Sequence, residues 1–258
     1  MAHPDGMFGW VDLAVPDTAA AADFYGQVMG WEAVDFPSPG EMHYTFFTRG
    51  GKTAAGMGQL SEEQQDAGVP PVWSSYIAVD DAEDVVKRAA DLGAEVMMPA
   101  MDVMSAGKMA FLADPSGAAF GLWQAGEHQG SDAFNEPGFM TWNELATRDT
   151  SSVVDFYTAL FGWGVEVQDH DGFVYTTFMR GDRPNGGTFD MTNYAPPELP
   201  AHWAVYFAID DIDRAVETAR GLGATIAREP TESEFGRMAV VLDPQGAMFE
   251  IIELTRLA

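Results

Sequence analysis

The chain has 258 residues, 47% of them hydrophobic, which is enough to bury the core of one large domain or two small ones. Its formal net charge is −27, from 40 acidic against 13 basic side chains, a field that repels phosphate backbones and anionic lipid and argues against nucleic-acid or membrane partners. It has no cysteine, which excludes disulfides, thiolate metal sites and a cysteine nucleophile, and no apolar run approaches the roughly 20 residues of a membrane span. Met1–Gly6 lacks a basic segment followed by an apolar one, so the expected location is cytoplasmic, as a monomer or homodimer.

The first predicted strand, Phe8–Val15, runs into Asp17 and Thr18, which supply N-cap oxygens for a helix. That helix, Thr18–Met29, carries Ala21, Phe24, Tyr25 and Val28 at helical spacing and ends at Gly30. Three short alternating segments follow, Trp31–Phe36, His43–Arg49 and Lys52–Gln59. A strand at Trp73–Val79 then meets Asp80 and Asp81, and a second helix, Ala82–Leu92, stops at Gly93, a favourable left-handed cap. Three more strands are expected at Ala94–Met98, Lys108–Ala113 and Ala118–Gln124, with Met97, Met98, Met101 and Met104 in core or loop packing.

The same order then returns. W-V-D-L-A-V-P-D-T-A-A-A-A-D-F-Y-G-Q-V-M-G-W from Trp10 comes back as W-N-E-L-A-T-R-D-T-S-S-V-V-D-F-Y-T-A-L-F-G-W from Trp142. Y-I-A-V-D-D from Tyr76 reappears as Y-F-A-I-D-D from Tyr206, and M-A-F-L-A-D-P-S-G-A-A-F from Met109 as M-A-V-V-L-D-P-Q-G-A-M-F from Met238. A repeat at a fixed offset is the signature of a duplicated module. The expected organisation is a first module over residues 1–125, a polar, glycine-rich linker over 126–138 and a second module over 139–258. Within each module the order strand, helix, three strands occurs twice.

A strand, an Asp-containing turn and a helix holding F-Y-x-x-x-x-G-W resemble the opening of vicinal-oxygen-chelate modules, the superfamily of glyoxalases, bleomycin-resistance proteins and extradiol dioxygenases. The D-P-x-G-x-x-F turns at Asp114 and Asp243 resemble the final hairpin of those modules. The resemblance covers nearly the whole chain outside the linker and termini. It implies an α+β fold of four βαβββ units in two tandem modules, whose curled mixed sheets enclose open cups with helices outside. It does not imply one activity.

Strand parity separates the two faces of each sheet. Val11, Leu13 and Val15, Leu145, then Val205, Phe207 and Ile209, fall on the helix-covered face. The cup face is then expected to carry Trp10, Trp142, Trp123, Tyr76 and Tyr206 as aromatic walls, with Tyr44 and its repeat partner Tyr175 as further ligand contacts. Its ionisable groups are Asp12, Glu144, His202 and Glu250, candidates for acid–base work. Concave aromatic walls with a few converging polar groups suit a small aromatic ligand.

The resemblance further implies a metal held by a His near the start of the first strand, a His or Gln before the second helix, and a Glu in the last strand. Those positions fall on Trp10 and Trp142, Ser74 and Ala204, and Gly121 and Glu250, of which only Glu250 could ligate. No metal or other cofactor is therefore favoured; Glu250 with His202 or Glu144 would be the set if one binds.

The leading expectation is a metal-independent tailoring enzyme of lyase, isomerase or cyclase type. It would rearrange, cyclise or dehydrate a planar aromatic or polyketide-like molecule, with Glu144 and Glu250 as acid–base groups and His202 and Asp12 in support. The alternatives are a stoichiometric antibiotic-binding resistance protein and a metal-dependent glyoxalase-like lyase.

Overall fold

The computed structural model describes residues 3–36 and 44–255. His43, the start of one expected strand, lies outside the described residues. The first repeat forms β1 (Phe8–Val15), α1 (Thr18–Met29), β2 (Glu32–Phe36), β3 (Tyr44–Arg49), β4 (Lys52–Gln59), α2 (Glu62–Asp66), β5 (Val72–Ala78), α3 (Ala82–Asp91), β6 (Glu95–Val103), β7 (Gly107–Ala113) and β8 (Ala119–Ala125). The second forms β9 (Met140–Thr147), α4 (Thr150–Phe161), β10 (Gly164–His170), β11 (Phe173–Arg180), β12 (Arg183–Asp190), β13 (His202–Ala208), α5 (Ile212–Gly221), β14 (Thr225–Ser233), β15 (Gly236–Leu242) and β16 (Met248–Leu254).

Each repeat makes one eight-stranded sheet, in the order β2-β3-β4-β1-β5-β8-β7-β6 and β10-β11-β12-β9-β13-β16-β15-β14. β1 with β4 and β5 with β8 run parallel, whereas β3 with β4 and β7 with β8 run antiparallel, so the sheets are mixed and open, as the family resemblance implies. No helix among the described residues is long and apolar enough to cross a membrane.

The helices start where the sequence supplies a cap. Asp17, Asp81, Asp149 and Asp211 each accept a hydrogen bond from a backbone N–H in the first turn, an arrangement worth about 1 kcal/mol. α1 and α4 end at Gly30 and Gly162 with φ of 71° and 67°, the left-handed cap that glycine adopts without strain.

Three features differ from the sequence reading. β6 continues to Val103 through Pro99, because it is the outer strand of its sheet, where a proline costs no ladder bond. Met97, Met101 and Met104 are exposed along and just after that outer strand rather than packed in a core, Met97 to 58%. Within residues 126–138, the Gly126 and His128 N–H groups donate to the Ala106 carbonyl, and Asp132 N–H donates to that of Thr53. The short α2, closed by a capping box between Ser61 and Gln64, escapes periodicity because it is barely one turn long.

By packing, the chain divides into two compact units that cut across the repeat. One contains Met1–Trp10, Ser75–Gly130 and Trp142–Ala204; the other contains Val11–Ser74, Ser131–Thr141 and Val205–Ala258. Each unit thus combines pieces of both repeats around its own buried polar chain.

In the first unit, Trp203 Nε1 donates to the Tyr157 hydroxyl at 2.8 Å and that hydroxyl donates to Asp114 Oδ2 at 3.1 Å. The other oxygen, Asp114 Oδ1, accepts from the N–H groups of Ser116 and Ala118, which shapes the D-P-x-G turn. Burial raises the Asp114 carboxyl above the usual carboxylate range, against the opposing pull of those hydrogen bonds. Burial also pushes the Tyr157 hydroxyl well above its ordinary value, reinforced by the nearby Asp114 charge.

The second unit repeats the design. Trp73 Nε1 donates to the Tyr25 hydroxyl at 2.9 Å, and Tyr25 donates to Asp243 Oδ2 at 3.0 Å. Burial raises the Tyr25 hydroxyl in the same way. In each unit the F-Y tyrosine of one repeat therefore sits between a tryptophan and the D-P-x-G aspartate of the other repeat.

Candidate functional site

Glu144 lies in β9 and pairs in register with Gly187 of β12, while Ala146 pairs with Phe189. β11 adds Thr177 beside Gly187 and Tyr175 beside Phe189. Register partners point to the same side of a sheet, so Glu144, Gly187, Tyr175 and Phe189 share one face. The Tyr175 ring leans diagonally over Gly187, and its hydroxyl fills the space that a Cβ there would need. That lean completes a hydrogen-bond chain: Trp142 Nε1 donates to the Tyr175 hydroxyl at 2.8 Å, which donates to Glu144 Oε2 at 2.9 Å. The tyrosine hydroxyl is thus fixed in direction, and it holds one carboxylate oxygen in place.

An aromatic surface continues from this trio within the same unit. The Phe173 ring stacks near Tyr175 with centroids 6.3 Å apart, and meets Phe189 at 5.7 Å and Tyr194 at 5.4 Å. Tyr194 is exposed, on the loop after β12. Arg148 secures that loop by donating to the carbonyls of Leu199 and Pro196, both at 2.7 Å. His202, at the start of β13, donates from Nδ1 to the Pro200 carbonyl at 2.9 Å, and burial lowers its pKa from the ordinary value.

The remaining aromatic candidates of this unit are buried. The Trp10 ring meets His128 edge-on at 4.4 Å, Trp123 lies 5.4 Å from the same imidazole, and Trp123 Nε1 donates to the His128 carbonyl. His128 comes from the segment expected to be a linker. Tyr76 spreads its ring where a Cβ on Gly121 would project and meets Phe111 at 5.2 Å. These rings pack on protein rather than forming an open wall.

In the second unit, the Tyr44 hydroxyl donates to Asp12 Oδ2 at 3.2 Å, the repeat counterpart of Tyr175 and Glu144. Tyr206 is buried and pairs in register with Glu250, which is 7% exposed. Glu250 Oε2 accepts from Arg228 Nη2 at 3.2 Å. The structure thus joins Glu144 to Tyr175 and Trp142, Asp12 to Tyr44, and Glu250 to Arg228.

Sequence reasoning missed Phe173, Phe189, Tyr194, Arg228 and Gly187. Phe173 stands two residues before Tyr175 and shares its parity, so alternation alone could have found it. Phe189 and Gly187 needed the hairpin register, and Arg228 needed the geometry of an irregular strand.

The residues do not assemble the metal set that the family resemblance implies. Indoles stand at both first positions, Ser74 and Ala204 at the second, and Gly121 under the Tyr76 ring at one of the third. Glu250, the remaining donor, is engaged by a guanidinium. Among the described residues, no three His, Cys, Asp or Glu side chains are grouped as a metal ion requires.

Comparison with known proteins agrees with this architecture. The family model for the glyoxalase/bleomycin resistance protein/dioxygenase superfamily matches residues 7–122 and again 140–251. The chain is 39% identical over 254 residues to a Mycobacterium tuberculosis protein named "Putative glyoxylase CFP32", covering 97% of this chain and 96% of that one. It is 37% identical over 261 residues to the anthracycline biosynthesis protein DnrV of Streptomyces peucetius, covering 96% and 94%. The Mn(II)-bound glyoxalase of Novosphingobium aromaticivorans superposes with a TM-score of 0.66 at 16% identity, over 96% of this chain and 82% of that one, a likeness of fold. The chain belongs to the glyoxalase/bleomycin resistance protein/dioxygenase superfamily and carries one copy of its module in each half.

Proposed function

We propose that the chain is a tailoring enzyme that moves protons on a planar, polyketide-like aromatic molecule without help from a metal ion. The Trp142–Tyr175–Glu144 chain carries this reading, because it presents an oriented carboxylate beside an aromatic surface. The likeness to an anthracycline biosynthesis protein supports the substrate class.

In this reading the fused rings lie against Phe173, Phe189 and Tyr194, where flat aromatic contact gives binding without hydrogen-bond selectivity. Glu144 takes a proton from a carbon or phenolic oxygen made acidic by a neighbouring ring carbonyl, and returns it at a second position. Tyr175 keeps the accepting oxygen aimed, and Trp142 keeps Tyr175 aimed. Such a positioned general base contributes about 100- to 10,000-fold to a rate.

The test is incubation of anthracyclinone aglycones with the wild-type chain and with Glu144→Gln, before and after treatment with a chelator, followed by mass spectrometry and absorbance. Conversion that persists in chelator and falls at least about 100-fold in Glu144→Gln is expected. Saturable binding without any conversion would make the chain a sequestering protein instead. Conversion abolished by chelator would restore a metal-dependent, glyoxalase-like reaction.

A further inference from the structure

In the second unit, β14 loses register with β15 on both sides of Arg228, between Ile226 and Arg228 and between Arg228 and Thr231. Its repeat counterpart β6 loses register at the matching places around Met98. Irregularities of this kind re-aim a side chain and gather beside functional sites. Arg228 pairs with Val240, Val240 with Glu250, and Glu250 with Tyr206, so all four share one face. The matching row in the first unit is Met98, Phe111, Gly121 and Tyr76, which is apolar and closed by the Tyr76 ring. One copy of the duplicated position is therefore filled by packing, and the other is charged.

The Arg228 fork is only partly used. Its Nη2 donates to Glu250 Oε2 at 3.2 Å and to Met238 Sδ at 3.5 Å. A guanidinium has five N–H donors, and the Nε and Nη1 donors of Arg228 have no protein acceptor among the described residues, while its side chain is 48% exposed. Glu250, nearly buried, neutralises and orients this cation from beneath. On a chain of net charge −27, the overall field repels an anionic ligand, so any such ligand depends on a local fork of donors.

We propose that Arg228 anchors an anionic oxygen, the carboxylate or ionised enol of a small aromatic ligand, and so supplies the protein's own cation at the position that the family resemblance gives to a metal. Glu250 is then a positioning residue for the guanidinium, not a metal ligand. Arginine suits this task because its planar fork pairs with both oxygens of a carboxylate. The inference shares with the proposed function only the premise of a small aromatic ligand; it involves neither Glu144 nor turnover.

The test is titration of the whole chain with anthraquinone-2-carboxylate and with its uncharged carboxamide, read by tryptophan fluorescence. The wild type should bind the carboxylate at least about 10-fold more tightly than the amide. Arg228→Met, which copies the first repeat, should erase that preference, and Glu250→Gln should enlarge it, because the amide oxygen still accepts from Nη2 but the neutralising charge is gone. Arg228→Met removes the guanidinium partner of a buried carboxylate, so the double variant Arg228→Met/Glu250→Gln replaces it if circular dichroism shows the single variant unfolded. Equal affinity for the two probes in the wild type, or a preference that survives removal of the guanidinium, would overturn the proposal. So would one Mn(II) bound per chain, in a titration with the metal alone, that disappears in Glu250→Gln. Turnover measured on the same Arg228→Met protein separates the two readings: loss of the carboxylate preference with turnover retained speaks only to Arg228, and turnover lost only in Glu144→Gln speaks only to the acid–base reading.

Discussion

The Tyr25 hydroxyl, on the buried side of α1, donates to Asp243 at 3.0 Å across 218 residues of chain. Tyr157 and Asp114 form the same pair at 3.1 Å in the other unit. Each tyrosine comes from one sequence repeat and its aspartate from the other. Two residues inside motifs that sequence comparison would treat as local signatures are, in the fold, the two halves of a long-range clasp.

Removing either hydroxyl should therefore cost stability. Tyr157→Phe leaves Asp114 Oδ2 without its donor and Trp203 Nε1 without its acceptor, both buried. A loss of roughly 1–3 kcal/mol is expected in urea denaturation, and a similar one for Tyr25→Phe. The two losses should add in the double variant, since the pairs belong to different units. Changes below 0.5 kcal/mol, about the noise of surface substitutions, would show the clasps to be idle.

His202 gives a pH dependence with a definite sign. Burial lowers its folded pKa below the unfolded value of about 6.5, so the folded chain resists protonation. The stabilising share of this group is complete above the unfolded pKa and is lost as pH falls through the folded one. Comparing chemical denaturation of the wild type with His202→Asn from pH 8 down to pH 5, the difference should move against the wild type on acidification. A pH-independent difference would mean that burial does not govern this imidazole.

Gly187 tests the site without touching its chemistry. A methyl at this position meets the Tyr175 hydroxyl, and displacing that ring breaks its bond to Glu144. Gly187→Ala should fold but lower turnover by about 100-fold, the scale of a misplacement near 1 Å. Measuring kcat and KM separately decides the cause, since a lost orientation falls on kcat. Unchanged turnover would detach Tyr175 from the reaction.

Gly121 makes the corresponding point for packing. A Cβ there collides with the Tyr76 ring, which has Phe111 behind it. Gly121→Ala should lose about 1–3 kcal/mol by overpacking, seen as a lowered melting temperature. A neutral result would mean that Tyr76 swings aside and that the face beneath it can open.

The fold was legible because its signals are local or repetitive. Capping aspartates, left-handed glycines and alternating apolar residues act within a few positions, and duplication states each of them twice. Parity also put Trp142 and Glu144 on one face, and both side chains meet at the Tyr175 hydroxyl. Parity could not reveal which faces are filled: the His128 ring against Trp10 and Trp123 belongs to a segment that composition reads as a linker. Nor could it find Arg228, because two register shifts interrupt the alternation on which such reasoning depends. The partner of Glu144 was equally hidden, since Tyr175 reaches it diagonally across a glycine on the strand between.

The interleaving of the two compact units has a consequence for the chain as a whole. Each is stitched from three separate stretches, and neither repeat by itself contains a complete one. A severed half would carry Tyr25 without Asp243, and Asp114 without Tyr157. Joining the repeats in one chain makes the meeting of Tyr25 with Asp243, and of Tyr157 with Asp114, an intramolecular event. Because the halves are no longer identical copies, one can hold Gly121 beside Tyr76 where the other holds Glu250 beside Tyr206, an apolar pair against a charged one.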